Sequence, residues 1–248
     1  MKNLFTLIFI FTCFNSFTQK KILDHSDFDI WNRIQSPQIA ADGNNLLYSI
    51  QTGEKDSKLI IKDKQGNLIF SHDRSENGVF TYDSKFTLFK IKAWKDSITE
   101  MKRRKVKKDK MPLDSLGIFN IDKLSLQKIS NIKSYKIPEK WSGFIAYTYE
   151  ILSGQKEKKN QDSEVSVKNK SSKKLKKPSS KNGYPLVIRN LDSSVEDTIP
   201  YVTNYTFSKK SESLAYTTTG IKDSIQAGVY IKNLKSNSIK HVYSSHDK

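Results

Sequence analysis

The chain has 248 residues, 36% of them hydrophobic and 28% charged, and a formal net charge of +17. That length can bury a core as one all-β domain or two small domains, and the composition excludes a wholly disordered chain. The lone cysteine, Cys13, excludes a disulfide framework and a thiolate metal site.

The N-terminus comes first. Lys2 precedes an almost wholly apolar run, residues 4–14, and Ser16 and Thr18 place small residues before Gln19. This is the three-part pattern of a secretory signal peptide over residues 1–18, and the run is too short for an ordinary spanning helix. It predicts export to the periplasm or beyond the cell, with cleavage between Thr18 and Gln19. Cys13 leaves with the signal, so the mature chain has no cysteine.

Residues 27–34 read as a short helix or lead-in that Pro37 ends. A ten-residue frame follows at residues 39–48: an apolar anchor at Ile39, a tight turn at Asp42-Gly43, and a strand through Leu46 and Leu47 closed by Tyr48. The frame returns at residues 80–89 and 207–216, and more loosely at 138–147, closing on Phe89, Tyr216 and Tyr147. A second hairpin follows each copy. It carries an apolar residue, an Ile two later, and Asp or Asn two after that at a turn: Leu59, Ile61, Asp63; Leu116, Ile118, Asn120; Leu186, Ile188, Asn190; Val229, Ile231, Asn233. The repeating unit is therefore two hairpins, pairing Tyr48 with Ile61, Phe89 with Ile118, Tyr147 with Ile188, and Tyr216 with Ile231.

The closing aromatics are 41, 58 and 69 residues apart. The two longer intervals contain basic insertions of roughly 20 and 28 residues, and without them every interval is near the 40–50 residues of a propeller blade. The expected fold is all-β: a partial β-propeller of about four four-stranded antiparallel blades over residues 19–248, in an open arc. Blade units fall near 36–78, 79–133, 134–202 and 203–248. The basic insertions, residues 95–115 and 154–181, are expected as disordered loops, the second because it has almost no apolar residues to bury.

Those insertions hold most of the charge. Residues 95–110 carry eight Lys/Arg against three Asp/Glu, a net +5, and residues 154–181 carry ten Lys against three acids, a net +7. They suit weak binding to an anionic surface. Nucleic acid is not an expected partner, because the runs lack the interleaved aromatics of a single-strand platform.

No chemistry-bearing motif is present. There is no Gly-x-Ser-x-Gly elbow, no phosphate-binding glycine loop and no His-Glu-x-x-His. His25, His72, His241 and His246 are scattered, without metal-ligand spacing. Asp42 and Asp83 lie at turns, where a carboxylate caps backbone N–H groups. Trp31, Trp94 and Trp141 read as packing residues. No catalytic, cofactor-binding or metal-binding residue is expected, and no cofactor.

A lead-in with Asp29-Ile-Trp31, then Ser36-Pro-Gln-Ile-Ala-Ala-Asp-Gly43, Phe80-Thr-Tyr-Asp-Ser-Lys85, a basic insertion ending Lys110-Met-Pro-Leu-Asp-Ser-Leu-Gly-Ile118, and Tyr135-Lys-Ile-Pro-Glu-Lys-Trp141 occur in this order. Together they resemble the N-terminal propeller region of exported bacterial serine peptidases of the prolyl oligopeptidase family, over essentially all of the mature chain. The resemblance implies a C-terminal α/β-hydrolase domain with a Ser–Asp–His triad as partner, peptides as substrate, and a propeller that caps the active site and gates entry. None of the triad positions lies in these 248 residues, so the chain is expected to be a catalytically silent fragment. The alternative is a stand-alone propeller module that binds in the cell envelope.

Overall fold

The computed structural model describes residues 24–149, 177–221 and 224–244. The expected signal peptide with Cys13, His246, and residues 154–176 of the second insertion lie outside the described residues.

After a single helical turn, α1 (His25–Phe28), the chain is built of short strands: β1 (Asn32–Ile39), β2 (Asn45–Thr52), β3 (Lys58–Asp63), β4 (Leu68–Asp73), β5 (Ser75–Phe80), β6 (Phe86–Ile91), β7 (Ser115–Asn120), β8 (Ser125–Ile129), β9 (Ile132–Lys136), β10 (Phe144–Tyr149), β11 (Tyr184–Asn190), β12 (Glu196–Phe207), β13 (Ser213–Thr218), β14 (Gly228–Asn233) and β15 (Ile239–Ser244). Every paired neighbour is antiparallel. Two four-stranded sheets, β1 to β4 and β5 to β8, are followed by a seven-stranded one, β9 to β15.

The seven-stranded sheet is two blades that share a strand. β12 pairs through its first half with β11 and through its second half with β13, and the register slips in both pairings around residues 200–203. Tyr201, at φ +55°, turns the chain there. Arg74 (φ +59°) and Asn131 (φ +60°) stand at the two earlier blade junctions. One left-handed residue thus redirects the chain at each passage from the outer strand of one blade to the inner strand of the next. The result is an open arc of four four-stranded blades, a partial β-propeller.

The repeat lies where turn chemistry places it. The ten-residue frames form the first hairpin of each blade. Asp42 accepts the Asn44 N–H at 3.0 Å, and Asp83 accepts the Thr81 hydroxyl at 2.6 Å. In the second hairpins, Asp63, Asn120, Asn190 and Asn233 each accept turn N–H groups through Oδ1, at 2.8–3.0 Å. The register refines the sequence pairing. The residue before each closing aromatic, not the aromatic itself, lies opposite the Ile: Leu47 with Ile61, Leu88 with Ile118, Ala146 with Ile188, Ala215 with Ile231. Side chains alternate across a strand, so the aromatic and the Ile serve opposite faces of the blade.

That alternation builds the core as three seams. The first joins Leu47, Leu59 and Ile61 to Phe80, Phe89, Ile91 and Phe119 of the second blade. The next joins Leu88, Leu116 and Ile118 to Ile145, Tyr147 and Val187. The last joins Ala146, Leu186 and Ile188 to Tyr205, Leu214 and Tyr216. The ends of the arc keep the interior pattern without a neighbouring blade among the described residues. Ile61, Ile118 and Ile188 are 0–3% exposed, whereas Ile231 on the last blade is 40% exposed. On the first blade Tyr48 is only half-buried, and Ile34, Ile39 and Leu46 are exposed.

Two expectations need correction. The segment 27–34, read as a short helix or lead-in ended by Pro37, is helical only to Phe28, and Pro37 ends nothing: β1 has begun by Asn32 and contains it. β1 is an edge strand bulged between Gln35 and Gln38, and such a position accepts proline. The first basic insertion is not a loop throughout: it contains the nine-residue helix α2 (Lys95–Arg103) and a 3-10 turn, Lys108–Lys110.

His72 gives the first seam a pH dependence. Its ring stacks on Phe70 and contacts Phe89 at 5.7 Å between centroids, and Nδ1 lies 2.7 Å from Ser75 Oγ. Desolvation is the main cause that lowers its pKa below 6.5; Lys128 and, more weakly, Arg74 lower it further, and the hydrogen bond to the Asp73 carbonyl and the Asp73 charge oppose them in part. The unfolded chain then holds the proton more tightly than the folded one. This share of stability is complete above the unfolded value and is lost as the pH falls below it. Thermal melts between about pH 7.5 and about pH 5.5 should slope downward toward acid, with a shallower slope in His72→Phe. Identical slopes would remove His72 as the cause.

Candidate interaction face

Strand direction sorts the connections onto two sides. The tight turns that carry the repeat (residues 40–44 and 64–67 in the first blade) are on one side. The connections between the second and third strands of each blade, together with the blade junctions, are on the other. Both basic insertions are second-to-third-strand connections, of consecutive blades, so β6–β7 and β10–β11 leave and re-enter the sheet on the same side of the arc.

The first insertion is anchored across the seam between the first two blades. The Lys95 N–H at the start of α2 points at the Asp56 carboxylate of the first blade (3.3 and 3.4 Å), and Lys95 Nζ donates to the Glu54 carbonyl. Asp56 and Asp96 set negative charge at the helix N-terminus, and Lys102 and Arg103 lie in the last turn, each on the end that the helix dipole favours. Glu100 pairs with Arg103 at 3.4 Å and Arg104 at 2.8 Å, the i,i+3 and i,i+4 spacings. Ile98 and Met101 are half-buried, and the basic side chains around them are exposed.

Beneath α2 is a cavity of about 210 Å³, lined among others by Lys55, Asp56, Arg74, Glu76, Lys92 and Lys95. Its charges are largely spent on one another. Lys92 Nζ donates to Asp114 at 2.9 Å and lies 3.2 Å from Glu76. Burial alone would lower the Lys92 pKa, but Asp114 and Glu76 outweigh it and hold it raised. Arg74 donates to the Lys92 carbonyl at 2.9 Å, and its guanidinium lies 4.5 Å from the Trp94 ring centroid. The arrangement is a clamp between blades.

A second cavity on the same side, about 450 Å³, opens at the last blade between Lys181, Asn182, Thr203, residues 217–219, Gly228 and Tyr243. Thr219 donates to the Asn182 carbonyl at 2.6 Å and Thr218 to the Pro200 carbonyl at 3.1 Å. These hydroxyls stitch connections together.

His72 is in the first seam and His241 stacks on Tyr230 at 4.5 Å. Among the described residues no three of His, Cys, Asp or Glu gather in a group that could hold a metal ion. Trp141 packs edge-on against Phe144 and Phe207 and donates to the Ser208 carbonyl, bridging the third and fourth blades. Trp94 is half-exposed, with one face under Arg74 at the junction of the first two blades, and Trp31 is half-exposed beside Phe28. The helix itself was the missed feature. Ile98 and Met101 three apart, with Glu100 four before Arg104, signal it in the sequence.

No family model matches the chain, and no curated protein does. Among solved structures the chain is similar to the β-propeller domain of the trilobed protease from Pyrococcus furiosus (TM-score 0.45, 11% identity, 86% of this chain and 58% of that one). It is also similar to an acylaminoacyl peptidase from Pyrococcus horikoshii (TM-score 0.44, 10% identity, 89% and 34%). A third similar structure comes from an analysis of two prolyl endopeptidases (TM-score 0.48, 11% identity, 88% and 30%). The chain thus spans less than two thirds of each of these structures, from 30% to 58% of their length, and its own fold is an open partial β-propeller.

Proposed function

We propose that this chain is the propeller portion of an exported serine peptidase resembling the prolyl oligopeptidases, a non-catalytic part that gates peptide access to an α/β-hydrolase domain. One observation carries the reading: the arc is open, and both of its end faces repeat the pattern that is buried at the three seams. Ile231 stands exposed where its counterparts are sealed, and Tyr48 is half-buried where Phe89 is sealed. Such faces suit a piece of a larger ring. The run from Lys110 to Ile118, on which the family resemblance chiefly rests, leads from the 3-10 turn into β7 of the second blade. Gating, export and the hydrolase partner are parts of this proposal.

The test uses the native protein. An antibody against the propeller should capture, from the cells that make it, a species labelled by a serine-directed fluorophosphonate whose mature N-terminus is Gln19. The isolated 248-residue chain should stay unlabelled. Native species that carry these propeller peptides and never label would overturn the peptidase reading.

A further inference from the structure

We propose that the α2 side of the arc is a docking surface for an anionic lipid bilayer, held by charge without insertion. The observations are independent of the peptidase reading. Residues 95–110 place eight basic side chains on one side of the second blade, and all eight are exposed: Lys95, Lys102, Arg103, Arg104, Lys105, Lys107, Lys108 and Lys110. Against three acids they leave a net +5 within sixteen residues. Anchoring of α2 at Asp56 and Glu54 fixes this charge relative to the blades, so it is a property of a folded surface.

The physical character of the patch selects the partner. Its apolar residues, Ile98, Met101 and Val106, are half-buried and not presented to solvent, so no wedge is available to enter an acyl layer. Trp94 is engaged by Arg74, and no further aromatic occurs in the segment, so a stacking platform for unpaired bases is missing. What remains is a broad cationic field on one side of a sheet fold. Clusters of four to eight Lys or Arg of this kind associate with the negative potential of an anionic leaflet.

The test measures binding of the chain to vesicles of phosphatidylglycerol and phosphatidylcholine. The protein should bind at about 0.1 M salt and be released at about 0.5 M, because exposed charges are screened within a Debye length. Replacing Lys102, Lys105, Lys107 and Lys108 by Gln should weaken binding up to about a thousandfold. Replacing Lys64, Lys85, Lys123 and Lys235 by Gln removes the same charge from exposed turns on the opposite side, and should leave binding within about twofold. Both sets are surface changes, and equal melting temperatures would show that both variants fold. Equal losses from the two sets, or no vesicle binding by the parent chain, would overturn the proposal. So would dependence on the lysines of residues 154–181 alone, or displacement from vesicles by an oligonucleotide at lower concentration than by competing anionic lipid.

Discussion

Replacing Phe89 by alanine is expected to destabilise the protein by about 3–5 kcal/mol, whereas Tyr48→Ala, at the matching position of the first blade, should cost only about 1 kcal/mol. Both residues close the same sequence frame. Phe89 is fully buried in the first seam, 5.9 Å from Phe70 between ring centroids, and its loss leaves a void that Phe119 and Ile61 border. Tyr48 faces outward from the open end of the arc and is half-buried already. Urea unfolding of the two variants checks the difference. Similar losses at both positions would mean that the outer face of the first blade is covered in solution.

Gly117 tests the same seam from the neighbouring strand of the second blade. It lies opposite Phe89 in the β6–β7 register, and a Cβ there would run into the Phe89 ring. Because the obstacle is a packed, fully buried ring, Gly117→Ala should cost about 1–3 kcal/mol, and a smaller residue at Phe89 should relieve part of it. The aromatic at the end of the frame and the glycine in the following hairpin are two parts of one fitted contact.

Turn chemistry and strand alternation are local, and they were legible in the sequence. Asp63, Asn120, Asn190 and Asn233 each bond to N–H groups two to four residues away, so four turns could be found without knowing what packs on them. What depends on contacts distant in sequence was not legible. The start of α2 is held by Asp56, 39 residues earlier, and lysine density hid the helical spacing of Ile98 and Met101. Trp94 is placed by Arg74 across a blade junction, a contact that no window of sequence shows. Likewise Pro200 and Tyr201 bend a strand without ending it, so two blades read as one sheet.

Removing the Asp197 carboxylate should be more harmful than removing the lysine that it holds. Lys232 on the fourth blade is almost wholly buried, and its Nζ donates to Asp197 Oδ2 at 2.5 Å, on the strand that the third and fourth blades share. In Asp197→Ala the ammonium stays in the seam without its partner. The expected loss is about 2–3 kcal/mol, below the full value for a buried pair because the Asp197 side chain is half-exposed. Lys232→Met keeps the length of the stem and removes the charge that needs a partner, leaving a half-exposed carboxylate that water can solvate. Its effect should stay within about 1 kcal/mol of the parent, in either direction. Adding Lys232→Met to Asp197→Ala should then restore most of the lost stability. Urea midpoints of the two single variants and the double variant check this. If the double variant is as unstable as Asp197→Ala, the carboxylate acts through the backbone of β12 and not through Lys232. Recovery would show that the loss came from the unpaired ammonium, while Leu186, Leu214 and Tyr216 supply the apolar burial that holds the seam.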